Sequence, residues 1–172
     1  LALKDNDKFM FSTYADNLEI FQPRRGMSQL ASMIYYLNNI KPNGNSKLLE
    51  SITQYRRIIG SKALIILLSD FLISLDEIRQ AFYMLGNNEI KIVQIIDPIE
   101  RDLALEGDFR FKDSESGGEL RTYISPRARI EYQKMLQDHC IEIEKTCTTL
   151  GMDYYLLTTD TPIFDAFYKV LE

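Results

Sequence analysis

Six apolar residues, Ala63-Leu64-Ile65-Ile66-Leu67-Leu68, run without a polar break and stop abruptly at Ser69-Asp70. An apolar run that does not alternate predicts a strand over 62–69 covered on both faces, as in a parallel sheet. Beyond it, Ser74-Leu75-Asp76-Glu77 has the spacing of a capping box, and Leu75, Ile78, Phe82 and Leu85 recur at helical period. A second buried strand is predicted over 90–96 and a third over 153–158. Lys8–Tyr14 and Leu18–Phe21, joined by Ala15-Asp16-Asn17, predict an edge hairpin.

Helical periods fill the intervals. Leu30, Ile34 and Leu37 mark one face of a helix over 28–39, after Gly26. Past the loop Pro42-Asn43-Gly44-Asn45, Ser46 is expected to open a helix whose inner face is Leu48, Ile52, Tyr55 and Ile59. Gly86-Asn87-Asn88 ends the helix that follows Asp70. Ser125-Pro126 opens a long helix to about Leu150, with Tyr132, Leu136, Cys140, Ile143, Cys147 and Leu150 in one stripe. Thr161-Pro162 caps a last helix with Ile163, Phe167 and Val170 on its apolar face. A polar excursion at about 106–124, with Gly117-Gly118 at its centre, predicts a hairpin inserted outside the main sheet. The whole is one α/β domain over 1–172: an open, mainly parallel sheet with helices on both faces and an inserted β-hairpin.

Composition narrows the function classes. A net charge of −5 and a pI near 5.0 argue against nucleic-acid binding. Arg24-Arg25 and Arg56-Arg57 read as solvated surface pairs. No apolar stretch approaches the ~20 residues that span a bilayer, so a cytoplasmic domain is expected, with the longer parent able to be membrane-tethered. Two cysteines make no disulfide scaffold and read as small core residues. His139, the single histidine, has no imidazole partner for zinc and belongs to a helix distant in sequence from Ser69. No nucleophile elbow, phosphate loop or dinucleotide fingerprint is present.

Ligands of open α/β sheets sit outside the carboxyl ends of the strands. That rim collects Gly44-Asn45-Ser46, Ser69-Asp70 and Asp97-Pro98-Ile99-Glu100. Oxygen-bearing side chains there suit a hard divalent cation. Each has a structural duty to weigh: Ser46 as a helix N-cap, Asp97 and Glu100 as a capping box with Pro at the first helical position. Asp70 stands before its helix cap and has no evident capping duty, so it is balanced between site and structure.

In this order the segments resemble a von Willebrand factor type A domain, and more narrowly the prokaryotic domain-of-unknown-function family fifty-eight. The matching pieces are Asp7-Lys8-Phe9-Met10-Phe11, Gly44-Asn45-Ser46-Lys47-Leu48, Leu68-Ser69-Asp70-Phe71, Asp97-Pro98-Ile99-Glu100, Asp113-Ser114-Glu115-Ser116-Gly117, and Thr158-Thr159-Asp160 with Pro162. The resemblance implies a metal-ion-dependent adhesion site holding magnesium, with Ser46 at the Thr position and Asp70 at the Asp position. The superfamily's Asp-x-Ser-x-Ser loop and opening strand have no counterpart here. The chain therefore reads as a fragment lacking both, with magnesium expected in the full-length protein and none in this piece. The implied role is a non-enzymatic protein-interaction or assembly domain. Family members are commonly encoded near MoxR-type AAA+ ATPases, so such an ATPase is the expected partner. The competing class is a magnesium-assisted hydrolase or phosphotransfer domain using Asp70. The strand absent from the middle of the sheet leaves three ways to close the gap: a strand from a second copy of this chain, as in a homodimer, direct pairing of the strands at 8–14 and 62–69, or an accompanying segment outside this sequence; the homodimer or the direct pairing is expected.

Overall fold

The computed structural model describes residues 7–40, 46–59, 62–86, 88–112 and 118–171. The proposed loop at 42–45, the glycine-flanked turn at 113–117 and Asn87 lie outside the described residues. A parallel sheet is built in the order β3–β4–β7, from β3 (Leu64–Ser69), β4 (Glu89–Ile96) and β7 (Asp153–Thr158). Two antiparallel hairpins stand apart from it: β1 (Phe9–Tyr14) with β2 (Leu18–Arg24), and β5 (Gly107–Lys112) with β6 (Glu119–Ile124). The helices are α1 (Met27–Asn39), α2 (Leu48–Arg56), α3 (Leu75–Leu85), α4 (Pro98–Asp102), α5 (Pro126–Leu150) and α6 (Ile163–Leu171).

The central strand β4 explains the layering. Ile90 and Ile92 point to one side, into a core shared with Ile65, Ile78, Phe82, Leu48, Ile52, Ile143 and Cys147 from β3, α3, α2 and α5. Val93 points to the other side, where Leu157 of β7 and Val170 of α6 cover it. The sheet is thus flanked by helices on both faces, as its apolar strands require. Lys91 lies on the α6 side, buried, and its Nζ donates to the Val170 carbonyl at 2.7 Å, which ties the end of α6 to the sheet.

Several local expectations are corrected. The β3 run alternates after all: Ile65 faces the core, while Leu64, Ile66 and Leu68 on the outer side are 51%, 39% and 55% exposed. α6 packs on β4 and β7, and among the described residues the outer face of β3 is left open. Direct pairing of the hairpin with β3 does not occur among the described residues; β1 pairs with β2 and β3 with β4. The face of α1 expected inward is half-exposed at Ile34 and Leu37, because α1 docks through Tyr36, whose ring packs edge-on against Phe21 at 4.6 Å. On α6, Val170 is buried but Ile163 and Phe167 are exposed. Thr161 Oγ1 does not cap α6; it accepts from Thr158 N, and the Pro162 carbonyl takes Ala166 N instead.

The helix starts also differ. α2 begins one residue later than expected, with Lys47 rather than Ser46 at its N-cap. Ser74 is the N-cap of α3 but makes no side-chain cap, and Glu77, the other half of the expected box, reaches across to accept from Leu49 N at 3.2 Å. That bond fastens the first turn of α2 to the first turn of α3. Ser125 caps α5 through Ala128 N, as its Ser-Pro pair predicts.

Two outcomes follow. Phe82, fully buried, packs its ring at 86° against Phe71, and Phe82→Ala is expected to destabilise the domain by about 3–5 kcal/mol in a denaturant titration. Among the described residues β3 has one unpaired, apolar edge, which is expected to associate, so light scattering should give a mass above the 20.0 kDa of one chain. Ile66→Lys should return it towards the monomer value.

Candidate functional site

The Ser69-Asp70-Phe71 turn closes β3 at the carboxyl rim. Asp70 is exposed, and its Oδ1 accepts from Leu72 N at 3.2 Å and from Ser69 Oγ at 3.4 Å. This is a local duty that the sequence did not disclose: the carboxylate folds back on its own turn in the manner of an Asx-turn. Ser69 Oγ also accepts from Phe71 N at 3.0 Å. Phe71 has φ 53°, in the left-handed region, although it is neither Gly nor Asn. Such a residue costs about 1–3 kcal/mol and persists only where its surroundings impose it. Here the ring is wholly buried against Phe82, so the backbone must turn around a fixed side chain.

Behind the turn lies a buried polar network. Ser69 and Gln94 are register partners on β3 and β4. Gln94 is fully buried; its Nε2 donates to the Asp70 carbonyl at 2.7 Å, and its Oε1 accepts from Tyr154 Oη at 2.6 Å. His139 of α5 lies 2.8 Å through Nε2 from the Phe71 carbonyl. Because a carbonyl only accepts, the ring donates there, with its proton on Nε2. The histidine expected to be remote from Ser69 is therefore brought to the adjoining peptide, though not to the Ser69 hydroxyl. Each such bond is worth about 0.5–1.5 kcal/mol net, and a buried carbonyl left bare costs more. Together they outweigh the strain at Phe71.

Tyr14, at the end of β1, reaches the front of the turn. Burial pushes its phenol above the usual range; a hydrogen bond to Ser69 opposes this, and the Asp70 charge adds to it. The next residue, Ala15, accepts at its carbonyl from Lys47 N at 3.3 Å. Through Tyr14-Ala15 the hairpin touches both the Lys47 entry of α2 and the Ser69-Asp70 turn.

Asp97 and Glu100 form the capping box of α4: Asp97 Oδ1 accepts from Ile99 N at 2.8 Å, and Glu100 Oε2 accepts from Asp97 N at 3.2 Å. Asp97 Oδ2 takes Thr159 Oγ1 at 2.9 Å, joining the ends of β4 and β7. Both acids are thus committed to structure. No group of three or more His, Cys, Asp or Glu side chains able to hold a metal ion occurs among the described residues.

Both cysteines are buried in α5. Burial pushes the Cys147 thiol up to about 12. Cys140 is raised also, chiefly by burial, with Tyr154 and Gln94 pulling the other way.

A sequence profile described as "Protein of unknown function DUF58" matches residues 1–142, and the chain belongs to this family. Among curated relatives, "Uncharacterized protein Rv1480" of Mycobacterium tuberculosis is 25% identical over 110 residues, 64% of this chain and 35% of that protein. "Uncharacterized protein MAV169" of Mycobacterium avium is 24% identical over 110 residues, 64% of this chain and 65% of that one. The chain thus spans about a third of the length of the first of these relatives. Among solved structures, BatB from Bacteroides thetaiotaomicron, a conserved hypothetical protein, aligns at TM-score 0.53 and 15% identity, over 97% of this chain and 78% of that one. An aerotolerance-related membrane protein from Bacteroides fragilis aligns at TM-score 0.52 and 14% identity, over 96% and 78% respectively. These two share the fold. No helix among the described residues is long and apolar enough to cross a membrane.

The thiols carry a prediction. The folded state holds Cys147 protonated up to about pH 12 against an ordinary value of 9.0, so above pH 9 the unfolded chain binds fewer protons than the native one. Stability should be level in thiol titration below pH 9 and fall as pH rises towards 12. At pH 8 both cysteines should resist a thiol reagent in the native state and react on denaturation.

Proposed function

We propose that this is a non-enzymatic protein-interaction or assembly domain of von Willebrand factor A type that presents Asp70 to a protein partner. The observation that carries this is the exposed Asp70 carboxylate, set on a strained turn at the strand-end rim and braced from behind by buried residues. A rigidly displayed acid suits recognition of a basic side chain, or of a cation bridging to a partner's carboxylate. In the full-length protein, Ser46 and Asp70 would contribute to a magnesium site only with ligands beyond those described here. The partner we favour is a MoxR-type AAA+ ATPase, and the parent is taken to be a cytoplasm-facing protein with a membrane tether. The word "membrane" in the name of the Bacteroides fragilis neighbour supports the tether.

The alternative, a magnesium-assisted hydrolase or phosphotransfer domain, would lean on Asp70 as its sole well-placed carboxylate. One experiment separates the two. A purified MoxR-type AAA+ ATPase from the same organism is titrated against the wild-type chain and Asp70→Ala. At least a tenfold loss of affinity in Asp70→Ala, with an unchanged circular dichroism spectrum, is expected. Equal affinities, or no binding by either, would overturn the reading. Magnesium-dependent turnover of p-nitrophenyl phosphate that disappears in Asp70→Ala would establish the alternative. Calorimetry with magnesium alone is expected to show no tight binding to this chain.

A further inference from the structure

We infer that Gln94 and His139 are positioning residues for Asp70: together they clamp two successive carbonyls, hold Phe71 left-handed, and so fix the direction of the Asp70 carboxylate. The inference deepens the proposed function and rests on it for its biological meaning, but its physical content is separate.

The clamp closes from two elements. Gln94 comes from the carboxyl half of β4, among the described residues the one strand of the sheet with partners on both sides, and its Nε2 reaches the Asp70 carbonyl. An amide at the end of a flexible side chain could rotate its oxygen towards that carbonyl, which would repel it. The Asp70 carbonyl only accepts and therefore takes Nε2, and the Tyr154 hydroxyl of β7, donating to Gln94 Oε1, completes that orientation. His139 comes from α5 and takes the next carbonyl, that of Phe71. Successive carbonyls held by separate elements fix the two peptide planes that flank Phe71, and with them its φ of 53°. With Phe71 so turned, the Leu72 amide points back at Asp70 Oδ1, and the Ser69 hydroxyl bridges the Phe71 amide. Loss of either clamp arm gives the backbone a route to an ordinary conformation. Asp70 would then lose its fixed bearing without any change to the carboxylate itself. The ring of Phe71 remains in the core, so the change is confined to the turn.

The Leu72 amide reports the state directly, because its acceptor is the Asp70 carboxylate. Hydrogen exchange is followed by NMR on the whole chain, without partner or metal, in wild type, His139→Phe, His139→Gln and Gln94→Met. In His139→Phe and Gln94→Met, Leu72 exchange is expected to quicken about tenfold more than that of Ile92 in β4. His139→Gln, which keeps a donor, should restore most of the protection. The single imidazole of the wild type should show its proton on Nε2 in its nitrogen spectrum. Leu72 exchange unchanged in His139→Phe, or quickened only in step with Ile92, would overturn the inference, as would a proton on Nδ1. Should Gln94→Met fail to fold, the two His139 variants decide alone. The Asp70→Ala affinity test stands apart: the clamp can hold while partner binding proves independent of Asp70, and the reverse is equally readable.

Discussion

The burial of β4 on both faces is the constraint on which the other features depend. A strand covered from each side has no solvent to satisfy a polar side chain, so a glutamine in it must find protein partners or be excluded. Gln94 finds them at both ends of its amide, in Tyr154 Oη and the Asp70 carbonyl. The same burial that makes Gln94 costly to leave unpaired makes it effective as a brace, because no bulk water competes for its donor. Core and rim are therefore one assembly: the helices that cover β4 also deliver His139 to the neighbouring carbonyl.

Much of the fold could be read from residue patterns. The parallel strands and the long helix were visible because their signals are local: apolar runs, a Ser-Pro start, a stripe through Cys140 and Cys147. The failures occurred where the pattern cannot say what a face will meet. Ile34 and Leu37 look like an inward face, yet α1 is docked by Tyr36, which hydrogen-bonds Thr13 and Glu19 of the hairpin and packs on Phe21. Leu64, Ile66 and Leu68 look doubly buried, but only neighbouring strands and helices decide that. Ser74-x-x-Glu77 has capping-box spacing, and tertiary contact with α2 diverted the glutamate.

The site was legible in its position and not in its construction. Asp70 stands out because a charged residue terminates an apolar strand before a helix. Gln94 carries no such mark: within Ile-Val-Gln-Ile-Ile it reads as a polar interruption of a good strand. Its partners lie 24 and 60 residues away in sequence, and His139 is 68 residues from the carbonyl it holds. No periodicity connects positions that far apart. The one available signal was a lone histidine beside a buried stripe, which spacing alone assigns to packing. The left-handed Phe71 was equally hidden, since glycine or asparagine is what marks such a conformation in a sequence.

The open outer face of β3 and the braced turn are two ends of one strand, and they place different demands on it. Leu64, Ile66 and Leu68 call for cover, while Ser69 and Asp70 call for access. A partner that paired with the edge of β3 and laid apolar side chains over its outer face would satisfy the first and, by extending past Ser69, would bring other side chains to the Asp70 rim. Tyr14 already approaches that rim from the hairpin, and its phenol is held neutral by burial near the Asp70 charge. The edge of the sheet and the acidic turn thus define one continuous surface, with hydrogen-bonding backbone and apolar side chains at one end and a fixed carboxylate at the other. Under the proposed function, recognition on such a surface would draw affinity from the strand and specificity from the acid. A rigid Asp70 would then matter because a carboxylate free to swing would accept many partners, whereas one with a fixed bearing discriminates among them.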